Sequence, residues 1–281
     1  MANIPFSVAT SVYKNDNPEY FKKAMDSLLN GTVLPSEIIL IVDGPIPQEL
    51  EDAVNEYESN KLFNIIRFEE NKGLGIVLKT AVEMANNELI ARMDSDDICL
   101  KDRFSQQLKY FEEHPEVDVV GGDITEFVGE EENIICKREL PRTDSEIKRF
   151  MKSRNSFNHM TVMYKKSAVL KAGNYQHLAL AEDYYLWIRM MKNGCTFANT
   201  GTVLVNVRAG KDLYRRRSGI KYFNTQIALQ KYMLKNGQIG VIAFIINIAK
   251  RFIVHVLLGN SLREFVYKNF ARAKNKERII I

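Results

Sequence analysis

Apolar positions along the first hundred residues alternate between two rhythms. A short, mostly apolar run over 4–11 predicts a strand. Phe21, Met25, Leu28 and Leu29 then recur at helical spacing until Asn30 and Gly31 end the pattern. The unbroken run Ile38-Ile39-Leu40-Ile41-Val42 suits a strand covered on both faces, as strands of a parallel sheet are. Further strands over 64–68 and 88–93, with helices from 48 and over 74–86, continue the alternation. That order predicts an open α/β sheet with right-handed crossovers.

Beyond Asp102 the rhythm changes. A helix over 103–113 is followed by an apolar stretch at 117–122, a polar hairpin-like segment to 137, and helices over 145–152 and 183–193. After 211 the pattern is helical almost to the end. No repeat or low-complexity linker interrupts it, so the expectation is one large domain over 1–210 and a helical C-terminal extension over 211–281.

Composition narrows the class without identifying it. Apolar residues make up 46% and charged residues 26% of 281, a globular balance. The formal net charge of +4 is too small to imply a nucleic-acid partner, and none is expected. Basic residues nevertheless crowd late, at Arg215, Arg216, Arg217, Lys250, Arg251, Arg263, Lys268, Arg272, Lys276 and Arg278. Cys99, Cys136 and Cys195 are scattered and read as reduced thiols. Residues 1–5 lack a basic segment followed by an apolar one, so a cytosolic location is expected.

Candidate chemistry collects behind the strands. In an open parallel sheet, ligands bind beyond the carboxyl ends. All four early strands lead promptly into polar or turn residues: Thr10 to Tyr13, Asp43-Gly44, Asn71-Lys72-Gly73, and Asp94-Ser95-Asp96-Asp97. Three carboxylates within four residues repel one another unless a cation compensates. A partly hydrated Mg2+ or Mn2+ shared with substrate phosphates suits them; a solvated turn or helix cap is the plainer alternative. Asp43-Gly44 and Asn71 to Gly73 fit either turns or ligand contacts. Glu182 and Asp183 begin a predicted helix, where its dipole favours negative charge; either could also serve as a general base. Trp187, one turn later, is a core residue or a stacking surface for a sugar. His159 precedes an apolar run and is a candidate pocket residue.

Taken in order, these segments resemble the family-2 glycosyltransferases, in particular bacterial enzymes that build capsule, O-antigen or exopolysaccharide. The resemblance rests on residues 6–13, Ile41-Val42-Asp43-Gly44, 71–75, 90–97, Arg103 with Gln107, 119–122, 159–163 and 181–187. It implies a GT-A fold: a Rossmann-like, mostly parallel sheet flanked by helices, with a nucleotide-sugar half over about 1–100 and an acceptor half over about 101–210. It implies an inverting transfer of a hexose or N-acetylhexosamine from a UDP-sugar to a lipid-linked saccharide acceptor. Asp43 would contact the uracil, Asp94 the ribose or diphosphate, and Asp96 the metal together with Asp94. Asp183 would be the base, with Glu182 in support. The implied donor-binding set is Thr10, Tyr13, Asp43, Asn71, Gly73, Arg92, Asp94 and Ser95. Two positions depart from the family pattern: Thr10 or Ser11 where proline is frequent, and Lys79 where asparagine is frequent. The second leaves the phosphate side open to Lys72 or Lys79.

Two other readings remain. A sugar nucleotidyltransferase would need a glycine-rich, basic triphosphate loop near the N-terminus, whereas 10–17 holds one lysine and no glycine. A non-catalytic nucleotide-sugar-binding protein has no need of all three of Asp94, Asp96 and Asp183. The apolar stretch 239–258 is interrupted by Lys250, Arg251 and His255, which makes spanning a bilayer costly. With the basic residues that follow, 239–278 is expected to lie on an anionic membrane surface, on the inner face of the plasma membrane, or to pack on the domain or on a second subunit of a homodimer.

Overall fold

Strands form where the apolar runs stand. The computed structural model describes residues 4–178, 180–209 and 219–258, with the backbone of 273–274. The first half holds β1 (Phe6–Val12), α1 (Pro18–Leu29), β2 (Glu37–Val42), α2 (Gln48–Asn55), β3 (Phe63–Arg67), α3 (Leu74–Met84) and β4 (Leu89–Arg92). Then follow β5 (Ile98–Cys99), α4 (Arg103–Glu113), β6 (Val119–Phe127), β7 (Ile134–Arg138), α5 (Asp144–Met151), β8 (Met163–Lys165), α6 (Lys166–Lys171), α7 (Glu182–Lys192) and β9 (Phe197–Arg208). Two further helices, α8 (Gly219–Lys235) and α9 (Val241–Phe252), lead into a π-helical turn at Ile253–Leu257, and β10 is Ala273–Lys274.

These strands make one mixed sheet in the order β10-β7-β6-β8-β4-β1-β2-β3, with β9 joined to β5 and β6. The pairs β1/β2, β2/β3 and β1/β4 are parallel, and every residue of β2 after Glu37 is buried, as its apolar run requires. The chain order reverses between β1 and β4, a switch point whose carboxyl edge opens a crevice. Helices α1, α2 and α4 cover one face through Phe21, Met25, Leu50, Val54 and Phe104, while α3, α7 and α8 cover the other through Val77, Leu78, Leu186, Trp187, Leu229 and Met233. Leu229 and Met233 are fully buried, so α8 completes the core of the sheet domain.

Fully buried Arg103 ties this frame together. Its guanidinium donates to the Arg92 carbonyl at 2.7 Å and to Gln107 at 3.1 Å, and Gln107 donates to the carbonyls of Val120 and Thr161 at 2.9 and 2.8 Å. The end of β4, strand β6 and the 159–161 turn are thereby held in one register.

The expected alternation up to Arg92 is observed, and the hairpin-like segment is the antiparallel β6/β7 pair. Strand β9 is the main difference. Its middle, Asn199-Thr200-Gly201-Thr202, is polar and includes a glycine at φ 75°, which erases both alternation and apolar run. Parallel pairing with β6 and antiparallel pairing with β5 hold it extended. Residues 273–274 likewise depart from the expected helical end by adding an antiparallel edge to β7. The basic cluster at Arg215, Arg216 and Arg217, and the basic residues after 258, lie outside the described residues. All three cysteines are free and buried.

Candidate functional site

Four loops meet at the carboxyl edge of the parallel strands, and hydrogen bonds between them make a single cradle. Buried Asp43, at the end of β2, accepts from the backbone N–H groups of Lys72 at 2.7 Å and Gly73 at 3.0 Å, and from the Asn71 amide at 2.9 Å. Its carboxylate therefore folds the 71–73 loop over the end of β3. Gly44 follows at φ 81°, and a Cβ there would stand 2.5 Å from the Asn71 nitrogen, so the close approach of the two loops needs a glycine. On the other side, Asp16 accepts from the Ser95 hydroxyl at 2.8 Å and from the Tyr13 N–H at 3.1 Å, joining the β1 loop to the acidic turn. Asp16 was not singled out from sequence; its only signal was the polar run Lys14-Asn15-Asp16-Asn17 directly behind β1.

The acidic turn divides into unlike parts. Asp94, partly exposed, forms an ion pair with Arg92, whose guanidinium is buried at the end of β4. Asp97 is buried, accepts from the Arg208 backbone N–H at 2.9 Å, and is pushed well above the usual carboxylate range, first by burial and then by Asp94 and Asp96. It thus anchors the turn to β9. Asp96 opens to solvent in a hollow crowded by protein atoms. Desolvation there, with the charges of Asp94 and Asp16, pushes its carboxyl up to about 6. Arg92 offsets part of this charge, and the remaining excess suits a cation. Among the described residues no group of three or more His, Cys, Asp or Glu is placed to hold a metal ion. The residues that could hold an ion are Asp94 and Asp96; a hard cation so bound keeps its other positions for water and substrate phosphates.

The second acidic pair begins α7. Glu182 lies against the start of α3, where a Cβ on Gly75 would stand 3.0 Å from the Glu182 Cγ. Because α3 starts behind β3, this contact brings the head of α7 to the same sheet edge as the cradle. Burial, with the neighbouring Asp183 charge, raises the Glu182 carboxyl. Asp183 accepts from the Asn155 amide at 2.6 Å. Burial, and then the neighbouring Tyr164, push the Tyr175 hydroxyl well above its ordinary value. Its hydroxyl meets His159 Nε2 at 2.9 Å. Burial and the Arg92 charge lower the His159 pKa well below its ordinary value, which keeps the ring neutral.

The remaining candidates are placed less openly. Trp187 has no exposed surface and packs between Phe157 and Tyr164, with ring centroids 5.3 and 6.2 Å away, so of its two readings the core one describes its position. Thr10 is also fully buried, and its hydroxyl has no partner among the described residues. Asn155 and Tyr175 were not anticipated beside Asp183, and Lys250 and Arg251 of α9 were noted only as basic residues, since they come from segments distant in sequence from Asp183.

Asp96 carries a pH prediction. Its raised pKa means that a proton competes with any cation from about pH 6 downward. Mn2+ affinity in the presence of UDP, measured by calorimetry, is expected to fall about tenfold per pH unit below 6, with protons released on binding near that pH. Cation-free protein should move the opposite way and lose stability as Asp96 ionises between about pH 4 and 6. A flat Mn2+ profile from pH 5 to 7 would exclude Asp96 as a ligand.

A family model, "Glycosyl transferase family 2", matches residues 7–178. The chain is 33% identical to the UDP-Gal:alpha-D-GlcNAc-diphosphoundecaprenol beta-1,3-galactosyltransferase of Escherichia coli, over 95% of this chain and 96% of that protein. It is 38% identical to the amylovoran biosynthesis glycosyltransferase AmsE of Erwinia amylovora, over 84% and 88%. Among solved structures, S. aureus TarS 1-349 in complex with UDP-GlcNAc superposes with a TM-score of 0.66 at 16% identity, over 92% of this chain and 76% of that one. The mannosyltransferase PcManGT from Pyrobaculum calidifontis, in complex with GDP-Man and Mn2+, gives 0.63 at 14%, over 92% and 71%. At such identities the likeness is one of fold.

Proposed function

Since the chain belongs to glycosyl transferase family 2, a hexosyltransferase family represented here in the GT-A fold, we propose that it moves a hexose or N-acetylhexosamine from a UDP-sugar to a lipid-linked saccharide, with inversion, in bacterial surface-polysaccharide assembly. The observation that supports this reading is that Glu182, next to Asp183, lies against Gly75 at the start of α3, behind the strand ends that lead into the acidic turn. The cradle of Tyr13, Asp43, Asn71, Gly73 and Ser95 holds the nucleotide, with Thr10 and Arg92 supporting it from beneath. Asp94 and Asp96 would hold a divalent cation, Mn2+ or Mg2+, which would supply positive charge to the departing diphosphate. Asp183, fixed by Asn155, takes the proton of the acceptor hydroxyl as its oxygen attacks the anomeric carbon. Glu182 borders the donor loop and supports this carboxylate.

Residues 1–210 carry the catalytic residues in this reading, the donor half over about 1–100 and the acceptor half over about 101–210, and 211–281 form the extension, whose helix α8 packs into the same core. The test is UDP release from a panel of UDP-sugars with Mn2+ and a diphosphate-lipid acceptor, expected only when the correct pair is present. UDP binding without release from any pair would favour a non-catalytic protein.

The extension adds a membrane contact. Helix α9 is turned inside out: Asn247 is its one buried residue, whereas Ile242 and Ile245 are 76% and 60% exposed. The Asn247 amide donates to the Lys152 carbonyl at 3.0 Å and to Gln230 at 2.8 Å, Phe244 packs against the core and Phe252 meets Phe223 at 5.4 Å, so this side holds the helix on while Ile242 and Ile245 look outward. Among the described residues no helix is long and apolar enough to cross a membrane. The exposed face suits the interface of an anionic leaflet, on the cytoplasmic side where UDP-sugars reside. Ile242→Ser with Ile245→Ser should weaken binding to anionic vesicles at least about tenfold in a flotation assay. Unchanged flotation, with a shift from dimer to monomer, would assign the face to a second copy of the chain.

A further inference from the structure

Next to Asp183 the molecule contains a cavity of about 420 Å³, closed by the 153–160 loop on one side and by α8 and α9 on the other. Pockets for small organic ligands lie in this size range. Its charge is one-sided. Among the described residues that line it, Asp183 is the one carboxylate, beside Arg138, Arg154, Lys250 and Arg251. The cationic wall is built rather than incidental. The Arg251 guanidinium donates to the Ser153 carbonyl at 2.8 Å and to Gln226 at 3.1 Å, and the Arg154 guanidinium lies over the Phe150 ring at 5.3 Å. Lys250 is exposed beside them, and buried Asn247 pins their helix to the domain.

A neutral sugar needs no such concentration of positive charge, and the donor's diphosphate belongs at the strand ends with Asp94 and Asp96. We propose that this cavity is the subsite for the acceptor's diphosphate, with Arg154, Lys250 and Arg251 as its anion contacts. The assignment rests on the reading of Asp183 as the base that receives a lipid-linked acceptor. A sugar whose 3- or 4-hydroxyl meets Asp183 carries its anomeric oxygen across the ring, so a diphosphate attached there would point toward the other lining residues of the same cavity. The lipid beyond it leaves along the apolar side of α9, where Ile245, Ile246 and Ile253 are exposed. Bidentate guanidinium contacts suit phosphate oxygens, and the ammonium adds a point charge.

The experiment uses the full chain with saturating donor and three acceptors bearing one sugar: linked to a short alkyl chain through a diphosphate, through a monophosphate, or as the neutral glycoside. Wild type should prefer the diphosphate over the neutral glycoside by about a hundredfold or more in kcat/KM. Arg154→Gln with Lys250→Gln should cut that preference at least about tenfold, and Lys250→Arg should retain it. Equal use of diphosphate and neutral acceptors by wild type, or an undiminished preference in the double variant, would overturn the subsite and leave the transferase reading intact. No transfer to any acceptor would sink the transferase reading and the subsite with it. Loss of anionic-vesicle binding in the double variant with its acceptor preference intact would assign these charges to a phospholipid headgroup instead.

Discussion

Asp183→Asn is expected to lower kcat about a thousandfold with the donor KM little changed, because the amide keeps the side-chain shape but cannot take the acceptor proton. The fold should survive. Asn155 donates to Asp183 through its amide nitrogen, and the oxygen of an introduced asparagine can accept the same bond. Loss confined to kcat marks a group that acts only in the transition state; a rise in acceptor KM at constant kcat would mark a binding residue instead. Steady-state UDP release and calorimetric UDP binding on the same preparation separate the two. Less than a tenfold fall in kcat would remove Asp183 from the role of base and return attention to Glu182, whose carboxyl is already raised by burial.

Asp96→Asn should cost about 10²- to 10³-fold in kcat/KM, comparable with the loss of one strong electrostatic contact to developing charge. The more specific expectation concerns the cation titration: the midpoint for Mn2+ should move at least about tenfold upward, and the pH dependence below 6 should vanish. The variant should also fold at least as well as wild type without cation, since removing one of three crowded carboxylates relieves repulsion. Asp97→Asn supplies the contrast. Asp97 is buried, its pKa is raised, and it accepts a backbone N–H from Arg208, so its replacement should change thermal stability and leave the Mn2+ midpoint near wild type. If Asp97→Asn moved the midpoint and Asp96→Asn did not, the roles of the two residues would have to be exchanged.

Much of this was legible in the residue order because the elements concerned are locally determined. Helix α1 starts on Asn17, whose side chain accepts from the Glu19 and Tyr20 N–H groups, and runs from Pro18 to Leu29 as its apolar spacing indicates. The apolar run Ile38–Val42 can be buried on both faces only inside a parallel sheet, and the turns behind the early strands must then share an edge. Asp43, Asp94, Asp96 and Asp183 became candidates by that logic and by the family resemblance. Trp187 was not resolved between core and ligand surface, because aromatic residues serve both and the sequence carries no sign of which face is open.

What the sequence alone determined is the parallel half of the sheet, the chain order of its elements and the polar turns that follow its strands, since propensity, spacing and burial act over a few residues. Only the tertiary structure decided that β9 is a strand, that Asp16 ties the β1 loop to the acidic turn, that α8 completes the core and that α9 turns its apolar side outward. These depend on contacts between segments distant in sequence, such as Asp16 with Ser95 and Arg208 with Asp97. Local pattern cannot encode them, because the free energy that holds such a residue belongs to its partner's position.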